Sequence, residues 1–209
     1  MKNGKNSVFG GILGENIVLS SLMVISPVII CGDSMKNALA LIYAFNSITL
    51  ISMLIGSFVP KKLPYTVKVI IYALISSLVY IPVRIAAEEF YIDSLGRIGI
   101  YYPLLAVNSL IILQGEAKFY RMKKGRMLAS VVFCLIGFDA VILLTAFIRE
   151  FFAYGTVFGR VADISTLVSG LGQPFGGFIF LGIMCGIYRF IRAQISERNE
   201  IRSGADVSD

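Results

Sequence analysis

The sequence predicts an all-α integral membrane protein with six transmembrane helices, folded as a 3+3 inverted repeat in which the first helix of each half is short or broken. Three observations carry this expectation. Hydrophobic residues make up 56% of the 209, mean hydropathy is +0.80, and only 15% are charged. A soluble domain of this size carries about one quarter charged residues. The apolar residues fall into six runs separated by charged or proline-bearing breaks. The first and fourth runs are too short for an easy crossing, which takes roughly 20 apolar residues. Short interrupted segments at matching places in two halves point to an inverted repeat with its working site at mid-membrane. Three crossings are an odd number, so the two halves run in opposite senses.

The chain reads as one transmembrane domain over 1–209, with a first three-helix half at 14–94, a second at 95–193 and a polar cytoplasmic tail at 194–209. Run one, from about Ile17 to Cys31, is IVLSSLMVISPVIIC, and Pro27 breaks it. No small-residue cleavage site follows it, so it reads as a retained segment. Run two, Asn37 to Val59, is full length and ends at Pro60, Lys61 and Lys62. Run three, about Thr66 to Ala86, follows Pro64 and carries Pro82 and Arg84 near its far end. Run four, Ile98 to Leu113, belongs to the stretch YYPLLAVNSLIILQGEAKFY, with Pro103 near its start and Asn108 and Ser109 at mid-depth. Polar atoms there are the mark of a broken or re-entrant membrane helix. Run five, Met127 to Ile148, is full length and closed by Arg149 and Glu150. Run six, about Phe175 to Ile191, follows Pro174 and holds Gly182 and Gly186 in a GxxxG arrangement that permits close helix contact. The helices around Ser26-Pro27 and Asn108-Ser109 are expected to approach each other.

With six crossings, the amino end, the 2–3 and 4–5 loops and the carboxyl tail share one side and hold 14 of the 19 lysines and arginines. The other side holds Lys36, Arg84, Arg97, Arg149 and Arg160. The positive-inside rule then places both termini in the cytoplasm, with Glu88, Glu89 and Asp93 outside. The cluster from Lys118 to Arg126 suits anionic lipid and a topology anchor, and the net charge of +6 reflects this asymmetry and not nucleic-acid binding. There is no histidine, which excludes Ser-His-Asp chemistry, histidine-ligated haem and histidine zinc sites. Cys31, Cys134 and Cys185 are scattered in apolar segments without CxxC spacing and read as small buried hydrophobes. Neither a nucleotide-binding loop nor a soluble catalytic domain is present in the sequence.

Several polar residues stand inside the apolar runs. Asn46 lies near the middle of run two and Asp139 near the middle of run five. A carboxylate at that depth is expensive unless neutral, paired or hydrated, so Asp139 is a candidate to bind or relay sodium or a proton. The same residue suits a protonated hydrogen bond to a neighbouring helix. Asn46 and Asn108 read as interhelical hydrogen-bond formers, and Ser26 and Ser109 as partners for carbonyls freed by the broken helices. Arg149 and Glu150 read as a partly paired couple snorkelling to an interface.

The order of these features resembles the small membrane subunits of the ion-translocating Rnf and Nqr complexes, in the branch called RnfE or NqrD. The residues that carry the resemblance span roughly 14 to 193. They are Glu15-Asn16, Ser26-Pro27, Phe45-Asn46, KKLPYTVKVI from Lys61, and PLLAVNSLIILQGEAKF from Pro103, which includes Glu116. Arg149, Glu150, Gly155, Phe158 and Gly159 follow as RE-x4-G-x2-FG, and QPFGGFIFLG runs from Gln173 to Gly182. The resemblance implies a six-helix inverted repeat paired with a homologous subunit of opposite topology in a bacterial or archaeal cytoplasmic membrane. It further implies an iron–sulfur cluster held by one cysteine from each half in both subunits, and electron transfer coupled to sodium or proton movement. The cluster positions fall here on Ser26 and Ser109. Serine hydroxyls are far weaker donors to such a cluster than thiolates, and Cys31 stands about 7.5 Å along an ideal helix from Ser26. The expectation is therefore a non-catalytic or conduit subunit without a cluster or other cofactor of its own, flavins and other iron–sulfur centres residing on partners. Two further readings stay open: a stand-alone inverted-repeat transporter binding near Ser26, Asn46, Asn108 and Asp139, and a purely structural membrane subunit.

Overall fold

The computed structural model describes residues 25–60, 62–108, 110–115, 120, 123–161 and 168–205. Helix α1 (Ile25–Cys31) turns through Gly32, Asp33 and Ser34 into α2 (Met35–Gly56). Helix α3 (Tyr65–Phe90) follows, running through Pro82, and then the short α4 (Ile92–Ile98) and α5 (Tyr101–Leu104). A 3-10 turn (Leu105–Val107) leads to Asn108, and a π-helical turn (Leu110–Gln114) lies beyond it. Helix α6 (Lys124–Tyr154) is followed by a small antiparallel ribbon of β1 (Thr156–Val157) and β2 (Arg160–Val161). A second 3-10 turn (Ser169–Gly172) precedes α7 (Pro174–Ala205).

Among the described residues, 4 helices are long and apolar enough to cross a membrane: α2, α3, α6 and the Pro174–Ile195 part of α7. A fifth span is formed if Ile92–Ile98 and Tyr101–Ile112, bent by 83° at their junction, count as one broken crossing. The protein is thus a multi-pass helical membrane protein with 4 to 5 candidate spans. The sixth expected crossing, run one, lies in large part outside the described residues. Its described part, α1, keeps Pro27 buried, and the break that the structure describes falls at Gly32–Ser34.

Helices α2 and α6 form the centre, and small residues explain why. Ala38, Ala40 and Ala44 are fully buried along α2, which lets backbones approach where hydrocarbon solvent offers no hydrophobic drive. Between the two helices Phe45 stacks on Phe138 with ring centroids 4.1 Å apart. Helix α3 packs on α2 and on the Leu105–Val107 turn through a stripe of Tyr72, Ser76, Val79, Val83 and Ala87 at spacings of three and four. Its opposite face exposes Ile70, Leu74, Leu78, Ile81 and Ile85, an apolar surface suited to lipid. Helix α1 packs against α5, so the two short segments meet.

Two local expectations change. Among the described residues the GxxxG pair mediates no close packing, since a Cβ built on Gly182 or Gly186 meets nothing within 4 Å. Close approach occurs instead one to two turns earlier. A Cβ on Gly176 would sit 2.8 Å from Leu171 Cα and against the Gly170 carbonyl, and one on Gly177 would sit 2.9 Å from Ile29 Cγ2. Helix α6 also runs past Ile148 to Tyr154, which carries Arg149 and Glu150 inside the protein. Gly176→Ala is therefore expected to destabilise the fold by about 1–3 kcal/mol through overpacking against backbone, whereas Gly182→Ala leaves stability unchanged or slightly raised. Thermal unfolding in detergent measures both, and equal melting temperatures would contradict this packing.

Candidate functional site

The first helix break is held by two neighbouring side chains of α6. Arg149 is 1% exposed. Its Nη1 donates to the Ile29 carbonyl at the end of α1 at 2.5 Å, and its Nε donates to the Leu171 carbonyl at 2.9 Å. Nη2 reaches the carbonyls of Gly172 and Gln173, both at 3.3 Å. Glu150 is 3% exposed and does the complementary work. Its Oε2 accepts from the Met35 backbone N–H at the start of α2 at 2.6 Å. Its Oε1 accepts from the Gly159 N–H at 2.8 Å and the Thr156 hydroxyl at 3.2 Å. A guanidinium thus takes freed carbonyls while a carboxylate takes freed amides, and the dipoles favour the guanidinium at the C-terminal end of α1 and the carboxylate at the N-terminal end of α2. Ser34 completes the α2 cap by accepting from the Asn37 N–H, and Asn37 Nδ2 donates to Asp33 Oδ1 at 2.9 Å. Snorkelling does not describe this couple, because both groups are spent on backbone inside the fold.

The RE-x4-G-x2-FG pattern now has a local explanation. Gly155 ends α6 at φ 61, and Phe158 and Gly159 take φ 55 and 73 between the paired residues Val157 and Arg160. Two positive φ values in a two-residue loop make a turn whose twist suits an antiparallel ribbon. The turn places the Gly159 N–H on Glu150. Beside this break a cavity of ≈ 490 Å³ is lined by Asp33, Lys36, Asp93, Arg97 and Glu150, among others.

The second break is held by its own asparagine. Asn108 is buried, with Nδ2 donating to the Leu105 carbonyl at 3.0 Å and Oδ1 accepting from the Ile111 N–H at 3.0 Å. One amide therefore spans the gap between the 3-10 turn and the π-helical turn. The fully buried Ser76 of α3 donates to the Ala106 carbonyl, another group freed by the interruption.

The two mid-membrane residues meet across the centre. Asn46 Nδ2 donates to Asp139 Oδ2 at 2.8 Å, while Asn46 Oδ1 and Asp139 Oδ1 are buried without a hydrogen-bond partner among the described residues. Three residues on from Asn46, Thr49 accepts from Asn108 Nδ2 at 3.4 Å. Three further on, Ser52 is buried with its hydroxyl unpartnered among the described residues. Asn46, Thr49 and Ser52 therefore form a polar stripe down one side of α2, linking Asp139 on α6 to the second break.

The structure thus pairs Asn46 with Asp139 and Asn108 with Thr49, one helical turn apart on α2, and places Arg149 and Glu150 at the first break. Ser26 is an exposed residue of α1 and joins neither. Ser109 and Glu116 lie outside the described residues. Thr49, Ser52 and Ser76 were not singled out by the sequence. The signal was present for the first two, in their spacing of three from Asn46. For Ser76 there was none, because only the tertiary fold shows that it faces a broken helix.

Interrupted helices in an apolar fold, with their freed backbone groups taken by buried side chains, define a multi-pass membrane protein whose polar chemistry lies inside the bundle. Residues 5–185 match the family described as Rnf-Nqr subunit, membrane protein, and the chain belongs to that family. It is similar to the NqrD subunit of the Na(+)-translocating NADH-quinone reductase of Pseudoalteromonas translucida strain TAC 125, 26% identical over 199 residues, covering 90% of this chain and 93% of the relative. The same subunit of the reductase from Shewanella loihica is 25% identical over 179 residues, covering 84% and 83%. That from Shewanella pealeana is 23% identical over 204 residues, covering 92% and 95%.

Removing the Arg149 fork leaves buried carbonyls and Glu150 uncompensated, so Arg149→Met is expected to cost about 3–5 kcal/mol. Arg149→Lys keeps the charge but not the planar fork that serves several carbonyls, and is expected to rescue only part of the loss. Denaturant unfolding in detergent reads this ranking, and wild-type stability in the lysine variant would show that charge alone matters.

Proposed function

We propose that this chain is a membrane subunit of an ion-translocating electron-transport complex of the Rnf/Nqr type, and that it contributes part of the path for a monovalent cation, sodium or a proton. The observation that carries the proposal is the pair of Asp139 and Asn46. An ionised carboxylate inside a bundle is costly until a cation or proton neutralises it. Asn46 fixes Asp139 Oδ2 by donating to it, while the remaining oxygens of both side chains are acceptors without donors. Those oxygens, with the hydroxyls of Thr49 and Ser52 further along α2, form a set of hard donors of the kind that suits a hard cation. The relatives, by name D subunits of a Na(+)-translocating NADH-quinone reductase, support such a role.

An iron–sulfur cluster does not fit the residues at the family's ligand positions. Both are serines, and Ser26 is exposed on α1. A neutral hydroxyl is a weak ligand for iron in such a cluster, so no electron-transfer step is assigned to this chain, and flavins and iron–sulfur centres are placed on partner subunits. The chain acts in this reading as scaffold and ion conduit beside a homologous subunit of opposite topology. The two interrupted segments, meeting through α1 and α5, support a six-span inverted repeat divided at residues 94 and 95. The distribution of lysine and arginine supports a cytoplasmic membrane location with both termini inside.

Two measurements test the proposal. Anaerobic affinity purification from native membrane is expected to recover Rnf- or Nqr-like partners with no iron attributable to this chain. A partnerless preparation would move the chain to a stand-alone transporter. In the assembled complex reconstituted into vesicles, Asp139→Asn is expected to lower redox-driven ion uptake at least about tenfold, the effect of roughly 1.4 kcal/mol on a barrier, without loss of subunits. Unchanged uptake would remove Asp139 from the path.

A further inference from the structure

A second cavity, of ≈ 450 Å³, opens where α3 meets the bend between α4 and α5. Tyr80, Arg84 and Glu88 line it from α3, and Tyr102 from α5. Tyr102 is 2% exposed, yet its hydroxyl has no hydrogen-bond partner among the described residues, and the Tyr80 hydroxyl, which lies beside Arg84, has no acceptor there either. Buried phenols normally find an acceptor, so these two donors are open to one that enters the cavity. Arg84 Nε donates to Glu88 Oε1 at 3.0 Å, and both side chains are about half exposed, leaving the rest of each charged group accessible. The wall opposite is built by Gly96 and Gly99, where a Cβ would meet nothing within 4 Å. Phe90, Ile92 and Ile100 stand exposed around the bend, so its neighbourhood is apolar as well as charged.

The order of groups along α3 is the informative feature. Tyr80, Arg84 and Glu88 recur every four residues and so share one face. From the middle of the helix toward its end at Phe90 they present a phenol, a guanidinium and a carboxylate, successive steps being about 6 Å. A phospholipid at a membrane surface offers the matching sequence of groups. Its acyl chains lie in the apolar layer, its phosphate above them and its amine outermost. The site carries one positive and one negative group, so it matches a headgroup that carries both signs. A primary ammonium donates to a carboxylate, which a quaternary one does not.

We propose that this cavity binds the headgroup of a zwitterionic phospholipid with a primary amine, of the phosphatidylethanolamine class. Arg84 and the hydroxyls of Tyr80 and Tyr102 take the phosphate, and Glu88 takes the ammonium. The binding is independent of the ion path through Asp139. It gives the bent α4–α5 junction a lipid as part of its packing.

The test uses the full chain in its native complex, exchanged into nanodiscs of phosphatidylethanolamine, phosphatidylcholine or phosphatidylglycerol. Native mass spectrometry then counts the lipid retained on release. Phosphatidylethanolamine is expected to be retained in preference to the other two. Tyr102→Phe, which removes only a hydroxyl, is expected to weaken retention by about tenfold or more, tenfold being the lower end of the worth of one hydrogen bond to a charged group. Glu88→Gln is expected to erase the preference over phosphatidylcholine. Gly96→Leu fills the cavity at a helical position with room for the side chain and is expected to abolish retention. Equal retention of all three lipids, or retention unaffected by both Tyr102→Phe and Gly96→Leu, would overturn the proposal. Inorganic phosphate is the control for a free anion, and displacement of the lipid by millimolar phosphate would also overturn it.

Discussion

Hydrocarbon offers a backbone no alternative hydrogen-bond partner, and this constraint governs the protein. Each place where a helix stops inside the bundle leaves amides and carbonyls that must be met by side chains. At the first break the burden falls on Arg149 and Glu150, which together join α1, α2, the β1–β2 turn and the segment leading into α7. Opposite charges on neighbouring residues keep the buried cluster close to neutral. The carbonyls of Ile29, Leu171, Gly172 and Gln173 do for the guanidinium what water would do outside.

The second break is met on a smaller scale. Asn108 supplies both a donor and an acceptor, which no carboxylate or ammonium can do alone. Serine and threonine on α3 and α2 complete the set. The two interruptions thus share a physical problem but not a chemical solution. One uses a charged pair brought from a distant helix, the other an amide within the interrupted segment. The polar stripe of α2 carries both the partner of the second break and that of the mid-membrane pair, so the residues that stabilise the break and those proposed for ion movement lie one helical turn apart.

The helical membrane class was legible in composition, and the four long helices were legible as runs of apolar residues. The broken fourth run was legible too, from Pro103 and Asn108. Helix α4 was not, because IDSLGRI carries charges and a glycine and resembles a loop; packing on α2 and α3 makes it helical. The site was legible by residue type, in Asn46, Asp139 and Asn108, but not by connection. That Asn46 meets Asp139 and Asn108 meets Thr49 depends on helix rotation and pairing, which hydropathy does not encode. Arg149 and Glu150 were misplaced for a related reason. A charged pair at the end of an apolar run looks like a membrane boundary, and only the partner backbone shows that it lies within.

The spacing along α6 has a consequence of its own. Phe138 and Asp139 contact Phe45 and Asn46, while Arg149 and Glu150 hold the first break. The two dipeptides are eleven residues apart, three helical turns with an angular mismatch of only about 20°, and about 16.5 Å along the axis. Both anchors therefore lie on the same stripe, and α6 is clamped in phase at two depths. A slip by one residue would swing both anchors by about 100° and release them together. A single insertion between them would keep one anchor and lose the other, so in this helix the length of the interval is as constrained as the residues that bound it.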